Sequence, residues 1–311
     1  MTPPTFAVVV GGANMDLCGR SSQALRWHDS NPGALSMSPG GVGRNIAENL
    51  ARLGTAVEFI SVVGQDPWGD QLLAACTQAG VGVQHVLRSA EVSTSTYLSV
   101  LDHQGEMQLA LNDMAALLYL SADEIRGRAE VLCQAALWVL DANLAPETLQ
   151  ALFLLHQQQA LTQPIVVDTV SAAKVARLKP FLTHIHTLKP NALEAEVLTG
   201  IAVQDIASAQ KASAALRALG VQRVLLTLGG QGAWYCDATH QAWYPALPVK
   251  IENVTGAGDA ALAALTHAQL KEWSAEYSAR FAMAAGALTA TSTHTIVPNF
   301  SVTAVQSLLE K

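Results

Sequence analysis

Short apolar stretches alternate with longer amphipathic stretches along most of the chain. The apolar stretches are rich in β-branched residues, show no period of two, and are expected to be strands: residues 7–10, 57–63, 137–141, 165–168, 187–189 and 223–228. The intervening stretches are expected to be helices: residues 45–53, 69–79, 146–159, 194–199 and 206–219. Strands that alternate with helices predict a mostly parallel sheet that is covered by helices on both faces.

Two polar stretches interrupt this alternation. Residues 17–39 are rich in Ser, Asn and Pro. Within residues 94–114, two segments alternate apolar and polar positions on either side of His103-Gln104-Gly105, which predicts a β-hairpin with one solvated face. We expect both stretches to form a small β-rich appendage. Because no low-complexity linker and no internal repeat is visible, residues 1–311 are interpreted as a single domain.

Composition narrows the functional class. Half of the 311 residues are apolar and 14% are charged, which excludes a disordered chain. The net charge is −7 and no run of basic residues occurs, so we expect no nucleic-acid partner. The apolar runs are shorter than the roughly 20 residues of a membrane span, and residues 1–6 carry no basic signal-peptide region. With four widely spaced cysteines, the chain is expected to be cytoplasmic.

The strongest chemical signal is the segment 253–259, Asn-Val-Thr-Gly-Ala-Gly-Asp, which precedes an apolar helix at residues 260–269. Gly256 and Gly258 allow a ligand to approach the backbone, and amides at a helix start bind anions. Asp259 could then accept a proton from a hydroxyl that attacks a bound phosphate. Two alternatives remain: a plain loop with Asp259 as helix cap, and a dinucleotide-binding turn ending at Ala261, although that turn normally opens the first βαβ unit of a chain.

Two further groups suggest a substrate with several hydroxyls. Gly40 and Gly41 precede a predicted helix and can bring backbone amides against a polyol, while Asn45 can donate to and accept from one hydroxyl. Asn14 and Asp16 follow the first predicted strand, and ligands of open parallel sheets bind beyond the carboxyl ends of strands. A carboxylate there can accept hydrogen bonds from two vicinal hydroxyls. Each group has a plainer alternative as a turn or a helix cap.

Taken together, these motifs resemble those of the ribokinase-like (PfkB) carbohydrate kinases. The resemblance covers essentially the whole chain, with the motifs in the order of the family. Four motifs carry it: Gly40-Gly41-x-x-x-Asn45, Asn191-x-x-Glu194, Thr227-Leu228-Gly229-Gly230-x-Gly232 and Val254-Thr255-Gly256-Ala257-Gly258-Asp259.

The resemblance implies a three-layer α/β fold with a mostly parallel central sheet and a small β lid formed by residues 17–39 and 94–114. It also implies ATP and Mg²⁺ as cofactors, with Asp259 as the base and the amides of Gly256, Ala257 and Gly258 around the transferring phosphoryl group. The implied nucleotide-site residues are Asn191, Thr227, Gly229, Gly230 and Gly232, with Glu194 contributing indirectly to Mg²⁺. Many members carry aspartate at the position of Asn253, where it helps to hold a monovalent cation, so dependence on K⁺ stays open.

Eight segments carry a closer resemblance within the family: residues 12–16, 29–33, 39–49, 64–66, 111–114, 168–172, 188–196 and 253–259. In these segments the chain resembles members that phosphorylate the 5′-hydroxyl of pseudouridine, a small nucleoside. The residues expected to hold the ribose are Asn14, Asp16, Gly40, Gly41 and Asn45. The candidates for contacts with the base are Ser30, Asn31, Asn112 and Asp113. The resemblance also implies a homodimer formed through the lid.

Alternatives to pseudouridine are ribose, adenosine or another sugar. Fructose 6-phosphate is disfavoured, because the first lid stretch offers only Arg20 and Arg26 for a substrate phosphate. A non-catalytic sugar sensor is disfavoured by the intact Asp259 and its glycines.

Overall fold

The computed structural model describes residues 5–310. The expectation of no signal peptide therefore concerns residues that mostly lie outside the described part of the chain. The strands are β1 (Phe6–Val10), β2 (Asn14–Ser21), β3 (Gly33–Gly40), β4 (Ala56–Ile60), β5 (Val62–Gly64), β6 (Leu87–Ser89), β7 (Thr96–Leu101), β8 (Met107–Asp113), β9 (Leu137–Asp141), β10 (Ile165–Asp168), β11 (Thr187–Lys189), β12 (Arg223–Thr227), β13 (Ala233–Cys236) and β14 (Gln241–Tyr244).

The helices follow the strands in the expected alternation, with a cluster of three at the end. They are α1 (Val42–Arg52), α2 (Pro67–Gln78), α3 (Ala122–Arg126), α4 (Ala129–Gln134), α5 (Pro146–Gln158), α6 (Ala172–Val175), α7 (Ala192–Thr199), α8 (Ile206–Ala218), α9 (Ala257–Leu270), α10 (Ala275–Ala290) and α11 (Val302–Leu309). Short 3₁₀ helices span Ala115–Tyr119, Ala176–His184 and Gly229–Gln231.

The central sheet has eight strands in the order β14-β13-β12-β11-β10-β9-β1-β4. Six neighbouring strands are parallel: β12, β11, β10, β9, β1 and β4. The other two, β13 and β14, pair antiparallel at one edge. The mostly parallel sheet predicted from the sequence is therefore confirmed, and the predicted bounds of β9, β10 and β11 match the structure residue for residue. The carboxyl ends of the parallel strands thus meet at one edge of the sheet.

Helices cover both faces of this sheet, which makes three layers. Along β1, Val8 and Val10 contribute to one apolar core with α5 and α8, whereas Ala7 and Val9 contribute to another with α1 and α9. Strands buried on both faces can be apolar at every position, which explains why their sequences lack a period of two.

The structure differs from the sequence prediction in one interrupted strand and in several elements that were not predicted, among them α3, α4, α6 and β6. Residues 57–63 were expected to be one strand, but Ser61 interrupts it: its hydroxyl donates to the Gly11 carbonyl (2.7 Å), and β5 leaves the sheet to pair with β6. The antiparallel pair β13–β14 and the helices α10 and α11 were not predicted. Helix α10 is Ala-rich and buried around most of its circumference, so its sequence shows little amphipathic period.

A second, four-stranded sheet has the order β3-β2-β7-β8. The predicted hairpin is present, because β7 and β8 pair antiparallel, with an irregularity between Val100 and Leu101. Strand β7 lies inside this small sheet, so its free edges are β3 and β8. We refer to these four strands and residues 22–32 as the small sheet.

No helix within residues 5–310 combines the length and the apolar character needed to cross a membrane. The cysteines Cys18, Cys76, Cys133 and Cys236 all have free thiols.

One carboxylate anchors the chain where it enters the small sheet. Asp66 caps α2 by accepting from the Gly69 amide (2.8 Å), and it also accepts from the amide and the hydroxyl of Thr94 (both 2.7 Å) just before β7. Although burial opposes the change, these hydrogen bonds lower the pKa of Asp66. The charged carboxylate therefore stabilises both the helix start and the entry into β7.

Replacing Asp66 with alanine should lower the free energy of unfolding by about 1–3 kcal/mol at neutral pH, since a helix cap and partly buried hydrogen bonds are lost. A lowered pKa stabilises the fold at neutral pH, and this contribution disappears as the pH falls through the pKa of the folded state. The difference between wild type and Asp66→Ala should therefore shrink in acid. Urea unfolding at several pH values measures it. Asp70→Ala, in the same helix as the Asp66 cap, is the control. It breaks an exposed ion pair with Arg88 of β6 and should cost less than about 0.5 kcal/mol.

Candidate active site

Polar and charged residues gather at the carboxyl edge of the central sheet. Asp141, Asp168 and Lys189 are the last residues of β9, β10 and β11, and all three are buried. Gly11, Gly12 and Asn14 follow β1 at the same edge, where Gly12 donates to Asp141 (2.8 Å). Ligands bind at this edge in open α/β sheets, so the location fits a catalytic site.

Helix α9 begins with its N-terminus in this cluster. Gly256 is the residue before the helix, has φ of 82°, and would place a Cβ 2.2 Å from the Thr295 carbonyl oxygen, so only glycine fits here. Asp259 is the third helical residue, so the alternative in which it caps the helix is wrong. The Ala257 amide donates to the Val254 carbonyl (3.2 Å), so the amides of Gly256 and Gly258 and the positive dipole end of α9 remain for an anion.

The carboxylate of Asp259 faces a group that is distant in sequence. Asn45 of α1 donates to Asp259 Oδ2 (2.8 Å), and Arg44 donates to Asn45 Oδ1 (3.2 Å). Burial, together with the charges of Asp168 and Asp141, raises the pKa of Asp259 to about 7, against the opposing effects of Asn45 and Lys189. A carboxylate with that pKa is a competent base near neutral pH.

Sequence reasoning missed Lys189, whose ammonium lies 3.2 Å from Asp168 Oδ2. Burial alone would lower the pKa of Lys189, but the carboxylates of Asp168, Glu194 and Asp259 raise it, so the side chain stays charged. A lysine at the end of a buried strand was a signal that could have been noticed, because a buried charge needs a partner or a function.

The residues expected to hold a sugar meet beside Asp259. Asn14 donates to Asp16 (2.6 Å), and burial raises the pKa of Asp16, against the hydrogen bond from Asn14 and the charge of Arg44. A Cβ on Gly40 would lie 2.2 Å from Asp16 Oδ2, and one on Gly41, where φ is 98°, would lie 2.5 Å from the Gly12 carbonyl oxygen. The two glycines therefore let β3 pass close to Asp16 and turn into α1.

The four candidates for contacts with a base lie in different places. Asn112 shares a cross-strand row with Tyr97 and Asp16, and residues paired across a sheet project on the same face. Asp113 is the next residue, so it projects on the opposite face, where it accepts from the Ala115 amide (3.0 Å).

Ser30 and Asn31 lie in the loop 22–32, beyond the far end of β2 from Asp16. Asn31 is bonded to both the amide and the carbonyl of Arg26 (2.7 and 2.9 Å), which closes the loop, and Ser30 is exposed.

Asn191 and Glu194 form the capping box of α7. Glu194 accepts from the Asn191 amide (2.8 Å) and from the hydroxyl of Thr169 (2.5 Å), while Asn191 accepts from the Glu194 amide (3.0 Å). The Glu194 side chain is buried and mostly occupied by these bonds. Within residues 5–310 no group of three acidic, His or Cys side chains could hold a metal ion.

A cavity of about 290 Å³ adjoins the start of α9. Thr227, Gly229, Gly230 and Gly232 line one side of it, and Gly258 lies where it meets the cluster of charges. Its remaining walls are apolar. Val254, Ala257 and Ala261 belong to the segment identified from the sequence, and the others were not predicted: Ala246, Leu247, Val249, Ile251, Ala282, Met283, Gly286, Ala287 and Ala290. Such a cavity suits a flat, mostly apolar ring beside an anion site.

Comparison with known proteins agrees with this geometry. The profile of the pfkB family carbohydrate kinases matches residues 4–301. Pseudouridine kinase of Escherichia coli is 38% identical over 100% of this chain and 98% of its own length. An uncharacterized sugar kinase of the same organism is 36% identical over 99% of this chain and 84% of its own length.

The fold also matches a solved structure of Arabidopsis thaliana ribokinase complexed with ribose and ATP. The TM-score is 0.85, with 22% identity, 99% coverage of this chain and 99% of the other. The ribokinase-like fold expected from the sequence is therefore confirmed. The chain belongs to the pfkB family of carbohydrate kinases, and it is a phosphotransferase that acts on an alcohol group.

Proposed function

We propose that the enzyme transfers the γ-phosphoryl group of ATP to the 5′-hydroxyl of pseudouridine. The observation that carries the proposal is the contact between Asn45, on the expected sugar side, and Asp259, at the helix terminus expected to hold the phosphoryl group. A hydroxyl bound beside Asn45 would be within reach of the base. The match to a pseudouridine kinase over the full length supports the choice of substrate.

Asp259 removes the proton of the 5′-hydroxyl as its oxygen attacks the γ-phosphorus. Because the pKa of Asp259 is raised to about 7, a large fraction of the carboxylate is deprotonated at neutral pH and can accept the proton. The amides of Gly256 and Gly258 and the positive dipole end of α9 stabilise the negative charge of the transferring group. The amide of Ala257 joins them when it exchanges its hydrogen bond with the Val254 carbonyl (3.2 Å).

Asp16, supported by Asn14, accepts hydrogen bonds from the ribose hydroxyls and so orients the sugar. Gly41 and Asn45 complete this contact from the start of α1. Closure of the small sheet over the sugar excludes water, which would otherwise compete with the 5′-hydroxyl as the nucleophile.

ATP occupies the apolar cavity beside Gly258, with Thr227, Gly229, Gly230 and Gly232 along its nucleotide side. We place the reaction in the cytoplasm. Asn191 and Glu194 would contribute to holding Mg²⁺ indirectly, because the Glu194 carboxylate already accepts from Thr169 and from the Asn191 amide. When bound, the ion would neutralise phosphate charge. Asn253 accepts from the Thr255 amide (2.9 Å), and its neutral amide supplies no charge for K⁺.

Asp259→Asn should lower kcat by about 10²–10⁴-fold, the range for loss of a general base. In wild type, kcat/KM should fall as the pH drops through about 7, because protonated Asp259 cannot accept the proton of the hydroxyl. Steady-state kinetics between pH 5 and 9 measure both effects. Unchanged thermal unfolding and ATP binding in the variant are the controls. A variant that retains more than about a tenth of wild-type kcat would contradict the role.

Selectivity for the base tests the choice of substrate. Pseudouridine carries an N–H at an edge where uridine carries a C–H, so an acceptor at that edge would be left unpaired by uridine. Such sites can reject the analogue by up to about 10⁴–10⁵-fold. Of the four candidates for this acceptor, Asn112 is the best supported, because it lies in the same cross-strand row as Asp16.

We therefore expect kcat/KM to favour pseudouridine strongly over uridine, ribose and adenosine, and Asn112→Ala to reduce the preference over uridine more than Ser30→Ala, Asn31→Ala or Asp113→Ala. Uridine turnover within about threefold of pseudouridine turnover would refute the substrate assignment. Faster turnover of ribose would favour a sugar kinase, which the 36% identity to a sugar kinase also supports.

We further propose a homodimer through the apolar face of the small sheet, defined by Leu17, Leu35, Met37, Leu98, Val100, Leu109 and Leu111, which are paired across the four strands. Leu35 is 87% and Leu111 59% exposed, and a contiguous apolar face of this kind marks an interaction surface. The opposite face carries Asp16 and Asn112, so a partner on the apolar face would leave the site open.

Leu35→Asp should shift the protein from dimer to monomer, because a carboxylate would be buried in the interface. Ser36→Asp, one residue along β3 and on the other face, is the matched control and should stay dimeric. Sedimentation velocity across a concentration series distinguishes the two variants. A wild type that sediments as a monomer at all concentrations would contradict this interface.

A further inference from the structure

The ion pair between Lys189 and Asp168 has no role in the chemistry described above. The ammonium of Lys189 lies 3.2 Å from Asp168 Oδ2, with the two residues only 7% and 3% exposed. Burying two charges costs free energy that their attraction often fails to recover, so such a pair is a poor way to stabilise a fold. Its place at the ligand-binding edge of the sheet instead points to a catalytic role.

Lys189 lies against the start of α9. Its Nζ would be 3.1 Å from a Cβ placed on Gly258, whose amide is part of the proposed phosphoryl site. The Asp259 carboxylate also interacts with it electrostatically and helps to keep it charged. The ammonium therefore lies against the helix terminus proposed to receive the phosphoryl group, and its charge acts on the proposed base.

Asp168 is held in place by its own backbone. Its Oδ1 accepts from the Val170 amide (2.8 Å), and Val170 has φ of 63°, an unfavourable conformation for a β-branched residue. Its Oδ2 has no hydrogen-bond partner, so Lys189 is the group it faces. Strain of this kind persists where the surroundings require one arrangement, and it is often found at functional sites.

We propose that Lys189 is a catalytic residue that stabilises the negative charge on the transferring phosphoryl group, and that Asp168 is a positioning residue that holds Lys189 there. The proposal rests on the proposed phosphoryl transfer. In that step the 5′-oxygen bonds to the γ-phosphorus, the bond from that phosphorus to the bridging oxygen of ADP breaks, and the proton passes to Asp259. Lys189 keeps its proton and supplies charge and hydrogen-bond donors.

Lys189→Met should lower kcat by about 10²–10³-fold, as for removal of one donor to a transition-state oxyanion, with the KM for pseudouridine changed less than about threefold. Lys189→Arg should recover part of the loss, because it restores the charge with different geometry. Asp168→Asn should lower kcat by less than Lys189→Met, because the ammonium remains but is held less firmly. Thermal unfolding checks that each variant folds.

The pH profile separates catalysis from simple structural support. Asp259 is faced by Asp168, Asp141, Lys189 and Asn45 from the neighbouring elements. Loss of the Lys189 charge should move the acidic limb of kcat/KM to higher pH, whereas loss of the Asp168 charge should move it to lower pH. Opposite shifts show that both charges act on the base, and a loss of kcat in Lys189→Met that persists on the plateau of the profile reports the separate effect on the phosphoryl group.

Lys174→Met is the matched control. Lys174 lies at the same sheet edge and donates to Asn143 (2.5 Å), and its charged neighbours are Asp141 and Arg177 rather than Asp259. It should keep kcat within about threefold of wild type. An equal loss in Lys174→Met, or a kcat in Lys189→Met above about a third of wild type, would overturn the role of Lys189. If Asp259→Asn also stayed active, the proposed phosphoryl transfer would fail as well, so the two failures can be told apart.

Discussion

The hydrogen bond from Asn45 to Asp259 joins two helices at positions 214 residues apart, and the proposed chemistry depends on it. It brings the start of α1, which follows Gly40 and Gly41, against the carboxylate of Asp259 at the start of α9. Asp259 cannot be solvated there as it would be in water, so its pKa rises, while Asn45 and Lys189 keep the charged form accessible. The proposed acceptor site, base and anion site are therefore brought together by tertiary structure rather than by proximity in the chain.

The cost of this arrangement is a set of buried charges at one edge of the sheet. Asp141, Asp168 and Glu194 are almost inaccessible, and each is held by backbone amides or neighbouring side chains. Lys189 is the cation among them. Because removing one partner leaves an uncompensated buried charge, these groups are expected to respond as a unit rather than independently.

The small sheet has two faces of different chemistry. The row of Ser38, Asp16, Tyr97 and Asn112 is polar, and the adjacent row on the opposite face contains Leu17, Met37, Leu98 and Leu111. Alternation along the strands creates both faces from one sequence pattern. One sheet can therefore contact a substrate on one side and a second subunit on the other, without a separate element for each task.

The sequence by itself determined the parallel sheet and the motifs that line its carboxyl edge. Buried strands are apolar at every position, and glycines beside a helix start are visible without a structure, as at Gly41 and Gly256. The β13–β14 pair, helix α10 and the walls of the apolar cavity were decided only by the tertiary structure. An Ala-rich helix that is buried around most of its circumference shows little amphipathic period, and short antiparallel strands resemble loops. The ion pair of Lys189 with Asp168 was likewise decided there, because the partner of a buried charge is set by the pairing of β10 with β11 rather than by distance along the chain.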